Sequence, residues 1–284
     1  MTLDDWLKSH AYLRQVASVQ ARVEAALDAI ELEQPRVPSW EEYAEEFGAG
    51  VPLLSSSTAA IDFEPAGKAA NALVERLAAD GLPGAIGEET RQLAAELRSE
   101  IRSPRRIVDW LLGDDAFAPS SPGLLRYLGW TAAAACFAPL VRAYTEWRNE
   151  ERWMKPYCPT CGSAPAMARL VGVDPGRKRF LSCGACLTNW QFGRTRCPFC
   201  RVDAQRLAVV SVTGEGGLRI DYCELCKGYL KTLNALDGDA FLMADWTSLH
   251  IDLVAHDRGL KRRAASLYDL ESCLPTSAKQ PAES

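Results

Sequence analysis

The sequence has 284 residues, which is long enough for one large domain or two modest ones with a substantial hydrophobic core. With 48% hydrophobic and 24% charged residues it falls outside the disordered and collagen-like classes, and a net charge of −5 argues against a nucleic-acid-binding protein. Its unusual feature is cysteine, with ten residues against three histidines. Eight of the ten lie between Cys158 and Cys226, and we look for function there.

The first residues carry no pattern of an export signal. Asp4 and Asp5 stand where a signal peptide has Lys or Arg, and no apolar segment follows them. The longest weakly polar run, at 128–141, is shorter than the ~18–20 residues that cross a bilayer. We therefore expect a cytoplasmic protein without membrane insertion, in which reduced cysteine pairs are metal ligands or redox groups.

Residues 1–155 are predicted to form helices. Apolar residues recur at three- and four-residue steps between Leu13 and Ile30, which indicates an amphipathic helix. Further helical patterns occur at about 67–80 and 87–102. This half of the chain is expected to be all-helical.

Ser-Pro pairs at 103–104 and 121–122 predict two more helix starts, because serine caps a helix and proline fits its first turn. The second of these helices extends by its pattern to about residue 153. Pro139 removes one of its backbone hydrogen bonds, so we expect the helix to kink or split near Cys136.

The sequence changes character at Pro156. β-like runs at 178–182, 207–213 and 218–222 alternate with turn signals, and no long helix fits between them. The turn signals are Asp174-Pro175-Gly176 and Gly214-Glu215-Gly216-Gly217.

A final helical pattern runs through Leu249, Leu253 and Val254, and Asp245 is expected to cap it. The sequence thus predicts an α+β protein with an N-terminal all-helical domain, two tandem zinc-ribbon-like metal modules and a C-terminal helix. The expected limits are 1–155 for the helical domain, 156–196 for the first four-cysteine module, 197–232 for the second, and 233–284 for the C-terminal helix and a solvated tail.

Charge divides along the same limits. The net charge is −8 over 1–155, +6 over 156–231 and −3 over 232–284. A basic central segment alone would suggest nucleic acid, but four thiolates around a divalent ion add −2 per site. Arg194, Arg196 and Arg201 are therefore interpreted as screening thiolate charge.

Four Cys-x-x-Cys pairs occupy the central segment, and in each the two thiolates of a tight turn can reach one ion. Gly162 and Gly228 are expected to supply the open backbone conformation that such turns need. The pairs are Cys158/Cys161, Cys183/Cys186, Cys197/Cys200 and Cys223/Cys226. Their spacing predicts two tetrahedral metal sites, one from the first two pairs and one from the last two. The interleaved pairing, first with third and second with fourth, stays open.

The remaining cysteines, Cys136 and Cys273, are interpreted as non-ligands, because one lies in an Ala-rich helical pattern and the other near the tail. All-sulfur sites suit zinc or a single iron ion, and the ligands do not decide between these metals. A thioredoxin-like redox motif is disfavoured, because it has one reactive pair in a βαβ setting.

The residues around the pairs resemble the FdhE family of formate dehydrogenase accessory proteins. The resemblance spans about 158–231 and rests on Cys158-Pro-Thr-Cys161-Gly, on Arg179-Phe-Leu-Ser-Cys183, on Thr188-Asn-Trp190-Gln-Phe, and on Tyr222-Cys-Glu-Leu-Cys226-Lys-Gly-Tyr-Leu-Lys231. Asp245 and Asp252, with Gly259 and Arg263, look like the family's terminal helix.

The resemblance implies a helical domain with two rubredoxin-like modules that hold two metal ions, iron or zinc. It also implies a cytoplasmic, non-catalytic maturation factor that binds the catalytic subunit of a formate dehydrogenase before export. An acidic run at 41–46 would attract the paired arginines of a twin-arginine signal region, although a solvated helix face is the plainer interpretation.

Two other functional classes are weighed against this one. A rubredoxin-like electron carrier would use iron in one or both sites, and a zinc-ribbon nucleic-acid-binding protein would use Arg177-Lys178-Arg179 and Arg194. No catalytic constellation is present in the sequence, so we expect no enzyme activity. The three histidines, His10, His250 and His256, are interpreted as surface or capped residues.

Overall fold

The structure is a computed structural model that describes residues 2–114, 117–149, 151–173, 176–215, 217–234, 240–264 and 267–268. The described residues up to 147 form mainly helices. A sheet with two cysteine clusters follows, and then a last helix. The N-terminal helices are α1 (Leu3–Ser9), α2 (Arg14–Asp28), α3 (Trp40–Ala49), α4 (Glu64–Asp80), α5 (Gly84–Glu100), α6 (Arg105–Leu111) and α7 (Pro122–Trp147).

Helices α4 and α7 form the centre of the helical part, with α5 and α6 packed against them. Their facing side chains, including Leu73, Val74, Leu128 and Phe137, are fully buried. Such apolar stripes are what stabilises helices of this length, because isolated helices are marginal in water. The expected helices at 67–80 and 87–102 are therefore present, each beginning three residues earlier than its pattern.

The serine caps expected before α6 and α7 are wrong. The hydroxyl of Ser121 makes no capping hydrogen bond, and Ser103 Oγ instead donates to Glu64 at 3.2 Å. Both helices still begin beside the Ser-Pro pairs, because proline fits the first turn whether or not the serine caps it.

Helix α7 runs unbroken through Pro139, so the expected split is wrong, and it ends at Trp147 rather than near residue 153. Burial of Phe137, Leu140 and Tyr144 on either side of the proline offsets the one lost backbone bond. The helix is long and apolar enough to cross a membrane, but 67% of its most apolar window is buried inside the protein. Core helices pass the same length test.

One mixed sheet unites the central segment. Its strands are β1 (Pro165–Val171), β2 (Lys178–Cys183), β3 (Asn189–Gln191), β4 (Leu207–Ser211), β5 (Leu218–Cys223), β6 (Gly228–Leu233) and β7 (Lys261–Arg262). The order is β3-β2-β1-β6-β5-β4, with β7 on β6. Each module contributes an antiparallel unit, and β1 and β6 pair in parallel, with Met167 opposite Lys231. The two modules therefore share a single sheet.

Two hydrophobic cores lie on this framework. The first contains the helical part together with the first cysteine cluster, Trp153 and Trp190. The second joins β5, β6 and the last helix, α8 (Leu249–Asp257), to Trp6 of α1. The indole N–H of Trp6 donates to the carbonyl of Thr247 at 3.0 Å. The N-terminal helix thus packs on the C-terminal part of the chain.

Asp245 does not cap α8, contrary to expectation. It begins a short 3₁₀ helix, Asp245–Ser248, and Ser248 occupies the cap position. The Asp245 carboxylate contacts Lys231 and Arg262 instead, at 2.6 and 2.8 Å. The α+β class with helices, two four-cysteine clusters and a C-terminal helix is confirmed. Asp174, Pro175, Gly216, Cys273 and the expected tail lie outside the described residues.

Candidate metal centres

The first cluster brings together four buried thiols, those of Cys158, Cys161, Cys183 and Cys186. The Sγ atoms of Cys158 and Cys186 are 3.4 Å apart, as are those of Cys161 and Cys183. A tetrahedral ion with metal–sulfur bonds of about 2.3 Å needs sulfur atoms about 3.8 Å apart, so a metal ion would fit after a slight expansion. The donor set and its geometry therefore suit a tetrathiolate metal ion.

Backbone N–H groups point at these sulfur atoms. Thr160 donates to Cys158 Sγ and Ala185 to Cys183 Sγ, both at 3.4 Å. The hydroxyls of Thr160 and Thr188 are 2.8 Å apart and join the two turns. Burial raises the pKa of the Cys158 thiol well above its usual value. Four thiolates in this dry position therefore require a cation to compensate their charge.

The first cluster is built into the helical part of the protein. Leu53 and Leu54 donate backbone hydrogen bonds to the carbonyls of Pro159 and Thr160, at 2.9 and 2.8 Å. The indole of Trp190 donates to the Lys155 carbonyl at 3.0 Å. Loss of order at the first cluster would therefore destabilise the helical part of the protein directly.

The second cluster consists of Cys197, Cys200, Cys223 and Cys226. The Sγ distances are 3.8 Å from Cys197 to Cys226 and 3.7 Å from Cys200 to Cys223, close to the tetrahedral edge. Cys200 is exposed and Cys226 half-buried, whereas the thiols of the first cluster are all buried. Both clusters use sequential pairs, and the interleaved arrangement is not found among the described residues. They are two four-cysteine sites that could each bind a metal ion.

All four turns place the residue after their second cysteine in the left-handed region. Gly162 does so at φ 77°, and three residues with side chains do the same, Leu187 at 61°, Arg201 at 64° and Lys227 at 57°. The expectation that Gly228 supplies this conformation is wrong, because the turn uses Lys227. A side chain at positive φ costs about 1 kcal/mol or more, so the second, third and fourth turns each carry this cost.

Gly228 is needed for space instead. A Cβ atom there would lie 2.6 Å from the ring of Phe199, inside any permitted contact. Phe199 sits between Cys197 and Cys200, so this close approach packs the fourth turn against the third. The glycine thereby keeps the two halves of the second site together.

Arg179 has a structural role at this site that was not predicted from the sequence, where it was named only in the motif before Cys183 and as a nucleic-acid contact. Its buried guanidinium donates to the carbonyl of Arg196 at 2.7 Å and to that of Gly193. Burial lowers its pKa to about 10, against the raising effect of Asp221 and Cys197. Its place on β2 agrees with its burial, since a strand alternates buried and exposed side chains. Arg179 fixes the backbone that leads into Cys197.

Two of the three arginines expected to screen thiolate charge, Arg194 and Arg196, contact other groups. Arg194 donates to the Arg177 carbonyl at 3.2 Å, and Arg196 pairs with Asp203 at 3.8 Å on the exposed surface. Screening by these residues stays a prediction.

We expect a chelator to remove metal from the second site on the order of ten times faster than from the first, because Cys200 is exposed and a buried shell limits access. A colorimetric indicator would follow the release from the full chain. The fast phase should disappear in a Cys197→Ser/Cys200→Ser variant. A single phase in the native protein would contradict the expectation.

The helical domain, the shared sheet and the tandem four-cysteine turns define a class of protein in which two ribbon-type modules are fused to helices. Comparisons identify the class further. Residues 157–194 match the family model for the FdhE central domain. Curated FdhE homologues are similar in sequence: the one from Aquifex aeolicus is 34% identical over 115 residues, which are 39% of this chain and 41% of that protein. The one from Stutzerimonas stutzeri is 34% identical over 160 residues, which are 51% of this chain and 48% of that protein.

The match therefore spans about half or less of the length of these relatives. The crystal structure of the FdhE protein from Pseudomonas aeruginosa has the same fold, with a TM-score of 0.62 at 22% identity, over 90% of this chain and 88% of that one. The resemblance drawn from the sequence is confirmed: residues 157–194 are similar to the central domain of the FdhE family, and the chain is similar in sequence to curated FdhE homologues.

Proposed function

We propose that this protein is a cytoplasmic, non-catalytic accessory factor that binds the catalytic subunit of a formate dehydrogenase and supports its maturation before export. The observation that carries the proposal is the FdhE central-domain match, which contains all four cysteines of the first site. The proposal transfers the role implied by the family to the whole chain.

In this proposal the eight clustered cysteines hold two metal ions, iron or zinc, one in each site. Such an ion supplies folding free energy, because ligands that are dispersed in the unfolded chain converge only in the folded one. The expected limits, 1–155, 156–196, 197–232 and 233–284, belong to the proposal as well. The helical domain then offers a surface that binds the client, and the metal modules hold that domain in a fixed conformation.

A rubredoxin-like electron carrier is the second candidate, and the exposure of Cys200 favours it. An iron ion held there would lie near solvent, which suits electron exchange with a partner. Iron predicts a coloured protein that is bleached by a reductant, whereas zinc predicts a colourless one.

The central test is a pull-down of the tagged full chain from anaerobically grown cells of its own source, with identification of the co-purified proteins and analysis of the bound metals. The proposal expects the catalytic subunit of formate dehydrogenase among the captured proteins, and loss of formate dehydrogenase activity when the gene is deleted. Unchanged activity in the deletion strain would overturn it.

The acidic surface of α3 is the proposed contact for the signal region. Glu41, Glu42 and Glu45 are exposed, while Glu46 accepts hydrogen bonds from Ser57 and its neighbours in the following loop. The surface for the client therefore consists of the three exposed glutamates, and Glu46 is structural.

Replacing Glu41, Glu42 and Glu45 with lysine is expected to weaken binding of a paired-arginine signal peptide roughly tenfold at low salt, with a smaller effect at high salt. Fluorescence anisotropy with a labelled peptide would measure it. The matched control reverses the exposed glutamates Glu88, Glu89 and Glu100, which gives the same change of net charge elsewhere. Equal losses in both variants would refute a specific surface.

A further inference from the structure

Two of the three histidines, His10 and His250, lie outside the cysteine-rich segment and meet the carboxylate of Glu215. His10 ends α1, Glu215 lies in the turn between β4 and β5, and His250 lies in the first turn of α8. The Oε2 atom of Glu215 is 2.6 Å from His250 Nε2 and 3.3 Å from His10 Nε2. One ligand atom from each of the three residues lies within 4.8 Å of the ligand atoms of the other two.

This cluster is shielded from water. The side chains of His10, Glu215 and His250 are 7%, 11% and 13% exposed. The ring of Trp6 stacks on that of His10 at 3.8 Å, and the exposed ring of Tyr12 lies edge-on to both imidazoles at the rim. A carboxylate in such a place needs a cationic partner or strong donors.

The hydrogen bond on the far side of His10 defines its tautomer. His10 Nδ1 is 3.0 Å from the carbonyl oxygen of Trp6, which can only accept, so Nδ1 carries the hydrogen. In the neutral ring, Nε2 then presents a lone pair toward Glu215, whose carboxylate also only accepts. Either a proton or a metal ion must stand between them. A backbone carbonyl behind the ligating imidazole is the usual arrangement at metal sites.

His250 completes the donor set. Its Nε2 atom faces the Glu215 carboxylate at 2.6 Å and is placed to act as a ligand. Its Nδ1 atom is buried without a hydrogen-bond partner among the described residues. Two imidazoles and one carboxylate are the protein ligands of many zinc and non-haem iron sites. The spacings of 3.3 and 3.4 Å between His10 and Glu215 match the edge of about 3.4 Å for a tetrahedron with bonds of about 2.1 Å. The 2.6 Å between His250 and Glu215 would have to open by about 0.8 Å to admit an ion.

We propose that His10, Glu215 and His250 form a third metal site, which takes a divalent transition-metal ion such as Zn²⁺. The ion would join α1 to the β4–β5 turn and to α8, and three protein ligands leave a fourth position for water. The site stands apart from both four-cysteine sites and does not depend on the proposed function. It also gives the histidines a role other than the surface or capped one expected from the sequence.

The test is a Zn²⁺ titration of the full chain after both cysteine sites have been filled, with calorimetry and elemental analysis. The native protein is expected to bind one further equivalent. His250→Ala should weaken that binding more than about tenfold while the metal in the cysteine sites is retained. His256→Ala is the matched control, because His256 is exposed on the same helix, and it should bind as the native protein does.

Glu215→Gln is the second variant, since it preserves shape and removes the charged ligand. It should also weaken binding more than about tenfold, with an unchanged circular dichroism spectrum. Zn²⁺ should slow proteolysis of α1 in the native protein and not in either variant. Absence of a further equivalent in the native protein would overturn the proposal, as would its retention in a His10→Ala/His250→Ala double variant.

Discussion

Serine in place of both Cys158 and Cys161 is expected to remove one metal equivalent and to destabilise the helical part of the protein together with the first module. Structural Zn²⁺ ions bind zinc-finger peptides with an apparent free energy of about 10–16 kcal/mol, which is as large as the ~5–15 kcal/mol by which a typical domain is stable. The two cysteines share a hydrophobic core with Tyr144 and Trp153, so the loss cannot stay local. Elemental analysis and thermal unfolding followed by circular dichroism would measure both effects.

The matched variant places serine at Cys223 and Cys226. It should also lose one equivalent, but the helices should melt as in the native protein, because the thiols of the second site belong to neither core. Cys136→Ser should keep both equivalents, since that buried thiol donates to the Glu33 carbonyl at 3.1 Å and burial raises its pKa to about 11. Retention of full metal content in the Cys158/Cys161 variant would contradict the first site, and equal loss of helix stability in both double variants would contradict its link to the helices.

Lys231→Met is expected to reduce the free energy of unfolding by about 3–5 kcal/mol, because it leaves two buried carboxylates with one cationic partner instead of two. Lys231 is fully buried on β6, with Nζ 2.6 Å from Asp245 Oδ1 and 2.8 Å from Asp252 Oδ2. Arg262 contacts the same two carboxylates. Two cations and two anions balance in the native protein, and the variant keeps an excess of negative charge. Urea unfolding would give the difference.

The double variant Lys231→Met/Asp252→Asn separates charge from packing. It removes one charge of each sign, so its destabilisation should be smaller than the sum of the two single effects by about 1–3 kcal/mol. Simple additivity would mean that Lys231 and Asp252 are not energetically coupled.

The same network sets the response to acid. Burial opposes ionisation of Asp245, but Lys231 and Arg262 outweigh it and hold the pKa of that carboxyl well below its usual range. Since the folded pKa is depressed, the stabilisation is complete above the unfolded pKa near 3.8 and is lost as the pH falls below it. Lys231→Met should weaken this dependence.

The cysteine sites could be predicted from the sequence because each half of a site is a local turn, and the two halves follow each other along the chain. The sheet that joins them could not, since β1 and β6 pair residues such as Met167 and Lys231 across the whole segment. β1 and β6 are also almost wholly buried, so neither shows the alternation that marks a half-exposed strand. The strands at 178–183, 207–211 and 218–223 alternate more visibly and were predicted.

The polar sites could not be predicted from the sequence either, because long-range contacts form them. Asp245 has the sequence of a helix cap, yet a buried lysine from β6 outcompetes the backbone for its carboxylate. His10 and Glu215 are 205 residues apart, and no spacing rule brings such residues together. Pro139 was expected to kink or split α7, but the helix is not split, because burial on both sides of the proline offsets the lost backbone bond.

The packing of α1 against the second core has a consequence for synthesis on the ribosome. Trp6 is translated more than two hundred positions before Thr247, whose carbonyl accepts its indole N–H, and before Phe241 and His250, whose rings lie beside it. Domains begin to fold while the chain is still growing, so the helical core can form with its own first helix undocked. Docking of α1 would then be among the last events, and it would mark a chain whose two modules are already in place.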